Sequence, residues 1–217
     1  MSSLFDASEQ NNLEKAKPLA ARMRPTTLEE FVGQQHFLGE GKLLRKLLKA
    51  DRLGSVIFFG PPGCGKTTLA RLLATESSHR FVQLSAVTSG VKDLREVLEH
   101  ARHDLAAGGE KTLLFIDEIH SIIGAGSTNG NALDASNLLK PALARGEIRC
   151  MGSTTFNEYY KYFAKDKALV RRFQQITVEE PTTESTIKIL SGLSTYYEKY
   201  HNVHYTTEAI EAAVLLS

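Results

Sequence analysis

Residues 60–67 read Gly-Pro-Pro-Gly-Cys-Gly-Lys-Thr and follow the apolar run Ser55-Val-Ile-Phe-Phe59. A glycine-rich loop that leaves a strand and opens a helix is built to hold phosphate. Glycines let backbone N–H groups turn inward around phosphate oxygens, where a Cβ would obstruct. Lys66 is long enough to reach β- and γ-phosphates, and the Thr67 hydroxyl can ligate Mg²⁺. The helix that follows, beginning Thr67-Thr68-Leu-Ala-Arg-Leu-Leu-Ala74, aims its positive dipole end at the same anion. The contacts expected to cradle a nucleoside triphosphate are therefore Gly60, Pro61, Pro62, Gly63, Cys64, Gly65, Lys66, Thr67 and Thr68.

A second group carries the complementary chemistry. Lys111-Thr-Leu-Leu-Phe-Ile116 is an apolar strand with Asp117-Glu118 at its carboxyl end, where parallel sheets bind ligands. Asp117 is placed to hold Mg²⁺ together with Thr67, and Glu118 to polarise the attacking water. A later strand ends Gly152-Ser-Thr154-Thr155, where a hydroxyl can bond the γ-phosphate or that water. Arg171-Arg172 precede the last strand and are candidate arginine fingers, since planar guanidinium stabilises charge on a transferring phosphoryl group. Their distance from the phosphate loop points to action on a neighbouring subunit's nucleotide.

The elements that must position these residues alternate. Strands are expected at about 55–59, 80–84, 112–116, 148–153 and 173–178, with helices at about 66–76, 91–106, 131–144 and 156–162. Strand, helix, strand in repetition implies an α/β domain with a parallel sheet and right-handed crossovers. Upstream, Leu28–Gln34 reads as a short helix entering a turn, and Gly41–Arg52 has helical apolar spacing. From Pro181 the pattern becomes all-helical, at about 183–200 and 206–216. The expected organisation is a flexible tail over 1–17, a nucleotide-binding domain over 18–180, and a helical lid over 181–217 that is cut short.

Composition narrows the class. The formal net charge is +1, with no strongly basic or acidic block, so charge argues neither for nor against nucleic acid. No apolar run approaches the roughly 18–20 residues of a membrane span, and residues 1–17 lack a signal peptide's apolar core. Two cysteines, Cys64 and Cys150, do not make a disulfide framework or a zinc site; a cytoplasmic setting without a membrane partner is expected. The pairs His100/His103 and His201/His204 offer too few ligands for a metal. Gly124-Ala-Gly-Ser-Thr-Asn-Gly130 is expected to be a flexible loop after the acidic pair. A Gly-x-Gly-x-x-Gly fingerprint is absent, which disfavours a nicotinamide dehydrogenase.

The order of loop Gly60–Thr67, acidic pair Asp117-Glu118, Thr155 and Arg171/Arg172 resembles the AAA+ P-loop ATPases. That resemblance implies a five-stranded parallel core with a helical lid, hydrolysis of ATP with Mg²⁺ between subunits, and self-association into a ring, a hexamer in most members. It also assigns Val32 and Gly33 to the adenine pocket. Residues 18–120 resemble the replication-associated recombination ATPases (RarA/Mgs/WRNIP) through Pro18-Leu-Ala-Ala-Arg-Met-Arg-Pro25, Phe31-Val-Gly-Gln-Gln-His36 and Ala86-Val-Thr-Ser-Gly-Val-Lys-Asp-Leu-Arg95. Residues 121–217 resemble the first ATPase module of ClpA-type Clp unfoldases. The carriers there are Ile123-Gly-Ala-Gly126, Asp134-Ala-Ser-Asn-Leu-Leu-Lys-Pro-Ala-Leu143, Gly152-Ser-Thr-Thr155 and Lys165-Asp-Lys-Ala-Leu-Val-Arg-Arg-Phe173. The chain thus reads as a mosaic joined at Phe115-Ile-Asp-Glu-Ile-His120, a stretch both groups share. The first half implies a DNA replication and recombination-maintenance ATPase; the second implies a Clp-type chaperone that unfolds polypeptide. Clp modules grip polypeptide with an aromatic-glycine loop, and Ala86–Lys92 has no aromatic. A nucleotide-binding module with little turnover is the third alternative.

Overall fold

The computed structural model describes residues 18–123 and 135–217. The 1–17 tail, the Gly124–Gly130 loop and the first part of the 131–144 helix lie outside the described residues. Two units emerge among the described residues, Gln34–Glu180 and a second made of Pro181–Ser217 with residues 18–33. Residues 18–33 therefore group with the lid helices rather than with the nucleotide-binding core.

The larger unit holds five strands: β1 Val56–Phe59, β2 Arg80–Ser85, β3 Thr112–Asp117, β4 Ile148–Thr154 and β5 Gln174–Thr177. They form one parallel sheet in the order β2-β3-β4-β1-β5. The burial pattern explains the order. All of β1 and all of β3 up to Ile116 are buried, as strands covered on both faces must be, whereas edge strand β2 is partly open. Ile57, Phe59, Leu114, Ile116, Leu139 and Phe163 sit in one core cluster. At Gly152 in β4, a Cβ would come within 2.9 Å of the Ile57 and Ile119 side chains. The missing side chain lets Ile119 pack down onto the sheet and fixes the turn that carries Asp117 and Glu118.

Most elements fall where periodicity puts them, and the departures have local causes. No helix forms over 28–34; Glu30 instead turns back to accept from Thr26 N at 2.7 Å, and Gly33 and Gln34 take positive φ of 96° and 55°. Short helices form on either side, at Leu19–Arg22 and Gln35–Leu38. The helix expected over 156–162 is a brief α-turn, Phe156–Glu158, followed by a π-turn, Tyr159–Phe163. Aromatic packing sets that widening: Tyr159 stacks on Phe59 at 4.2 Å and on Phe163 at 5.7 Å, and Ala164 N donates to Tyr159 O at 2.8 Å. An extra helix, Lys167–Val170, is nucleated by the Asp166 carboxylate, which accepts from Ala168 N and Leu169 N.

In the smaller unit, Thr182 caps helix Thr183–His201 and Thr206 caps Thr207–Leu215; Asn202, at φ 53°, ends the first. No helix of the described residues is long and apolar enough to cross a membrane.

Candidate functional site

The phosphate loop leaves β1 at its carboxyl end and is pinned on both sides. Gly60 N donates to Thr154 O, and Val178 N donates to Phe59 O. Gly60 lies so close to β5 that a Cβ would sit 1.9 Å from Val178 O. Gly63 and Gly65 take φ of 78° and 87°, the left-handed bend that points successive N–H groups into one concavity. Helix Lys66–Thr75 starts at once, so the N–H groups of Lys66, Thr67 and Thr68 have no acceptor within it.

Lys66 is only 8% exposed, and its ammonium folds back to donate to Gly60 O at 3.0 Å and Pro61 O at 2.6 Å. The loop's own carbonyls thus hold a charge that phosphate oxygens could claim. Cys64 donates its thiol proton to Pro61 O at 2.9 Å, and Pro62 is exposed at the loop's rim.

Thr67 and Asp117 come together: the hydroxyl donates to Asp117 Oδ2 at 3.1 Å. The other oxygen of Asp117 accepts from Ser153 Oγ, and Ser153 is wholly buried in β4. Ser153 Oγ in turn accepts from Glu118 N at 3.3 Å. A hydroxyl and a carboxylate oxygen this close are the hard donors that Mg²⁺ takes, so the residues present fit that ion.

Glu118 adopts a φ of 53°, a left-handed conformation that costs a non-glycine residue on the order of 1 kcal/mol or more. The turn is held by Ile119 N donating to Ser153 O and Ser121 N donating to Glu118 O. Burial pushes the Glu118 carboxyl above the usual range; Asp117 and Glu158 add to the rise, and His120 and Lys66 oppose it.

Thr155 follows the end of β4 and caps the next turn. Its hydroxyl and its N–H both donate to Glu158 Oε2, and Glu158 N donates back to Thr155 Oγ1 at 3.4 Å. The Thr155 hydroxyl, with the aid of its backbone N–H and of His120 and Lys66, outweighs burial and holds the Glu158 carboxyl below its ordinary value. Between the two glutamates stands His120. Its Nδ1 is 3.3 Å from Glu118 Oε2 and 3.1 Å from Thr154 Oγ1, and its Nε2 is 3.3 Å from Glu158 Oε1.

The structure does not bring every expected residue to this cluster. Arg171 and Arg172 are exposed and precede Gln174, which pairs with Val56 at the amino-terminal end of β1. The loop leaves the opposite end, beyond Phe59. β5 nevertheless lies directly beside β1, so the separation runs along the strands rather than across the sheet. Arg172 Nη1 donates to Ala168 O at 2.6 Å. Val32 and Gly33 belong to the smaller unit, where both are half-buried.

Three participants escaped the sequence reading: Ser153, His120 and Glu158. Glu158 had a signal, because Thr155-x-x-Glu158 is a capping box. Ser153 and His120 had none beyond standing beside residues already singled out.

A family model described as "ATPase family associated with various cellular activities (AAA)" matches residues 56–180, and an AAA lid domain model matches residues 182–217. Chaperone protein ClpB2, chloroplastic, of Oryza sativa subsp. japonica is 40% identical over 216 residues, covering 93% of this chain and 22% of its own length. A ClpA homolog protein of Fuscovulum blasticum is 43% identical over 214 residues, covering 92% of this chain and 26% of its own. Both alignments run through the acidic strand, so each spans the two halves distinguished above. Among solved structures, Hsp104 with ATPγS and FITC-casein superposes with a TM-score of 0.67 at 30% identity, covering 91% of this chain and 34% of that one. A RuvB variant of Thermotoga maritima superposes with a TM-score of 0.64 at 24% identity, covering 88% and 59%, a likeness of fold. The chain spans about a quarter of the length of the curated relatives it matches.

Proposed function

The chain belongs to the AAA family of ATPases, and on that premise we propose that it hydrolyses ATP as one motor module of a Clp-type machine that remodels polypeptide. The observation that carries the ATPase reading is the convergence of Thr67 and Ser153 on the two oxygens of Asp117, with Glu118 N bonded to the same Ser153. That arrangement supports the reading in which Asp117 holds the metal and Glu118 activates the water from the same turn.

Residues Gly60 to Thr68 receive the phosphates on backbone N–H groups, and Lys66 turns from the Gly60 and Pro61 carbonyls to the phosphate oxygens. Thr67 and Asp117 would hold Mg²⁺, which neutralises charge on the β- and γ-phosphates. Glu118 orients the attacking water and accepts its proton; burial, by raising the carboxyl's proton affinity, makes it a better base. Thr155 contacts the γ-phosphate or the water. Arg171 and Arg172, exposed and remote from their own loop, act at a neighbour's nucleotide, which requires self-association into a ring.

The substrate reading rests on the relatives. Those reported bear chaperone and Clp names, and the Hsp104 structure was obtained with casein. Polypeptide therefore takes precedence over DNA. The stretch Ala86–Lys92, which has no aromatic to grip polypeptide, includes the exposed Val87. ATP turnover measured with unfolded casein and, separately, with forked DNA tests the choice. Stimulation by casein alone is expected. Stimulation by DNA alone would restore the DNA-maintenance reading, and nucleotide binding with no turnover would leave a binding module.

A further inference from the structure

We propose that Glu118, His120 and Glu158 form a metal site for a divalent ion of the zinc class, separate from the Mg²⁺ position of Thr67 and Asp117, and that an ion held there takes Glu118 out of catalysis. The site itself stands on geometry; its effect on turnover rests on the ATPase reading above.

Among the described residues, these are the one group of three His, Cys, Asp or Glu side chains whose ligand atoms converge, one atom from each lying within 4.8 Å of the others. Ligands bound tetrahedrally to Zn²⁺ at about 2.0–2.1 Å stand about 3.3 Å apart. His120 meets that spacing on both sides, with Nδ1 3.3 Å from Glu118 Oε2 and Nε2 3.3 Å from Glu158 Oε1. Bringing both carboxylates to one ring nitrogen needs a closure of about 1.5 Å at most, which side-chain rotation supplies.

The surrounding groups orient this set. Thr155 gives its hydroxyl and its N–H to Glu158 Oε2, which leaves Oε1 to face the imidazole. Thr154 Oγ1 lies 3.1 Å from Nδ1 and Ser121 Oγ 3.4 Å from Nε2, so a hydroxyl stands ready to accept the proton of whichever nitrogen does not ligate. Tyr162 stacks near-parallel on the ring, with centroids 6.1 Å apart. The Glu118 and Glu158 side chains are 38% and 33% exposed, so an ion can reach them from solvent.

The donor types choose the ion. One imidazole nitrogen and two carboxylate oxygens, with a position left for water, suit a zinc-class ion, whereas Mg²⁺ prefers oxygen alone and keeps its waters. The adjacent residues Asp117 and Glu118 therefore serve different ions, the first with Thr67 and the second with His120. A carboxylate oxygen bound to a metal has committed the lone pair with which it would take a proton from water. ATP binding, which uses the Lys66 loop, is left intact.

Calorimetric titration of Zn²⁺ into the parent chain, with Mg²⁺ in excess and no nucleotide, tests the site. One equivalent should bind, and His120→Ala and Glu158→Gln should each weaken it at least about tenfold, while His100→Ala/His103→Ala keeps it within about twofold. Thermal melts give an independent reading: Zn²⁺ should raise the Tm of the parent and not that of His120→Ala. No saturable binding to the parent, undiminished binding in His120→Ala and Glu158→Gln, or loss in His100→Ala/His103→Ala instead would overturn the proposal. The first of these outcomes depends on no variant folding. In steady-state assays at saturating ATP and Mg²⁺, Zn²⁺ sufficient to fill the site should lower kcat at least about tenfold with KM within about twofold, and a zinc-selective chelator should restore it. A filled site with undiminished kcat would overturn the inhibition. Absence of phosphate release by the zinc-free parent would count against the ATPase reading, and the titration would still decide the site.

Discussion

Thr67 donates its hydroxyl to Asp117 Oδ2 at 3.1 Å, joining residues 50 positions apart in the chain. The bond ties the first turn of the phosphate-loop helix to the end of β3. Thr67→Ser should preserve it. Thr67→Ala should raise the Mg²⁺ concentration for half-maximal ATP hydrolysis at least about tenfold, since one of two protein oxygens is lost. Magnesium titration of the steady-state rate checks this.

Lys66→Ala should weaken ATP binding at least about tenfold, because the ammonium is the loop's mobile cation and a charge-assisted bond to phosphate goes with it. Isothermal titration calorimetry reads the change. Affinity equal to the parent's would make the Lys66 contacts with Gly60 and Pro61 purely structural.

The sheet was legible in the sequence because its strands are short apolar runs set between helical patterns, and β1 and β3 are buried on both faces. Thr67, Asp117 and Glu118 were legible because strand-end chemistry is local. The cluster around His120 was not. It depends on Thr154, Thr155 and Glu158 being delivered beside the acidic pair by β4, and on a π-turn that sequence periodicity does not encode. The placement of residues 18–33 with the lid helices was hidden for the same reason, since grouping is a property of contacts rather than of pattern.

If Arg171 and Arg172 serve a neighbour's site, ATP hydrolysis per subunit should rise with protein concentration. Mixing in Arg171→Ala/Arg172→Ala subunits should depress the rate more than dilution alone. Sedimentation alongside the assay checks the assembly; a monomer with concentration-independent specific activity would remove the arginines from catalysis.

His79 predicts an acid-sensitive step in stability. Its side chain is 4% exposed, Nδ1 has no hydrogen-bond partner among the described residues, and Asp51 Oδ1 is 3.6 Å away. Burial lowers its proton affinity below the ordinary imidazole value of 6.5, helped by Arg149 and opposed by Asp51. The unfolded chain then binds the proton more readily, so stability is full above that value and is lost as pH falls below it. Thermal melts at about pH 7.5 and about pH 5.5 should show a larger drop in Tm for the parent than for His79→Gln.

The central claim, that the turn bearing Asp117 and Glu118 hydrolyses ATP held by the Lys66 loop, is tested most directly by phosphate release from saturating ATP and Mg²⁺. The parent and Glu118→Gln are measured side by side, with nucleotide affinity determined on the same samples. The amide keeps the shape of Glu118 and removes its basicity, so the variant should bind ATP as the parent does and release phosphate at least about 100-fold more slowly. Phosphate release by Glu118→Gln at the parent's rate would contradict the account.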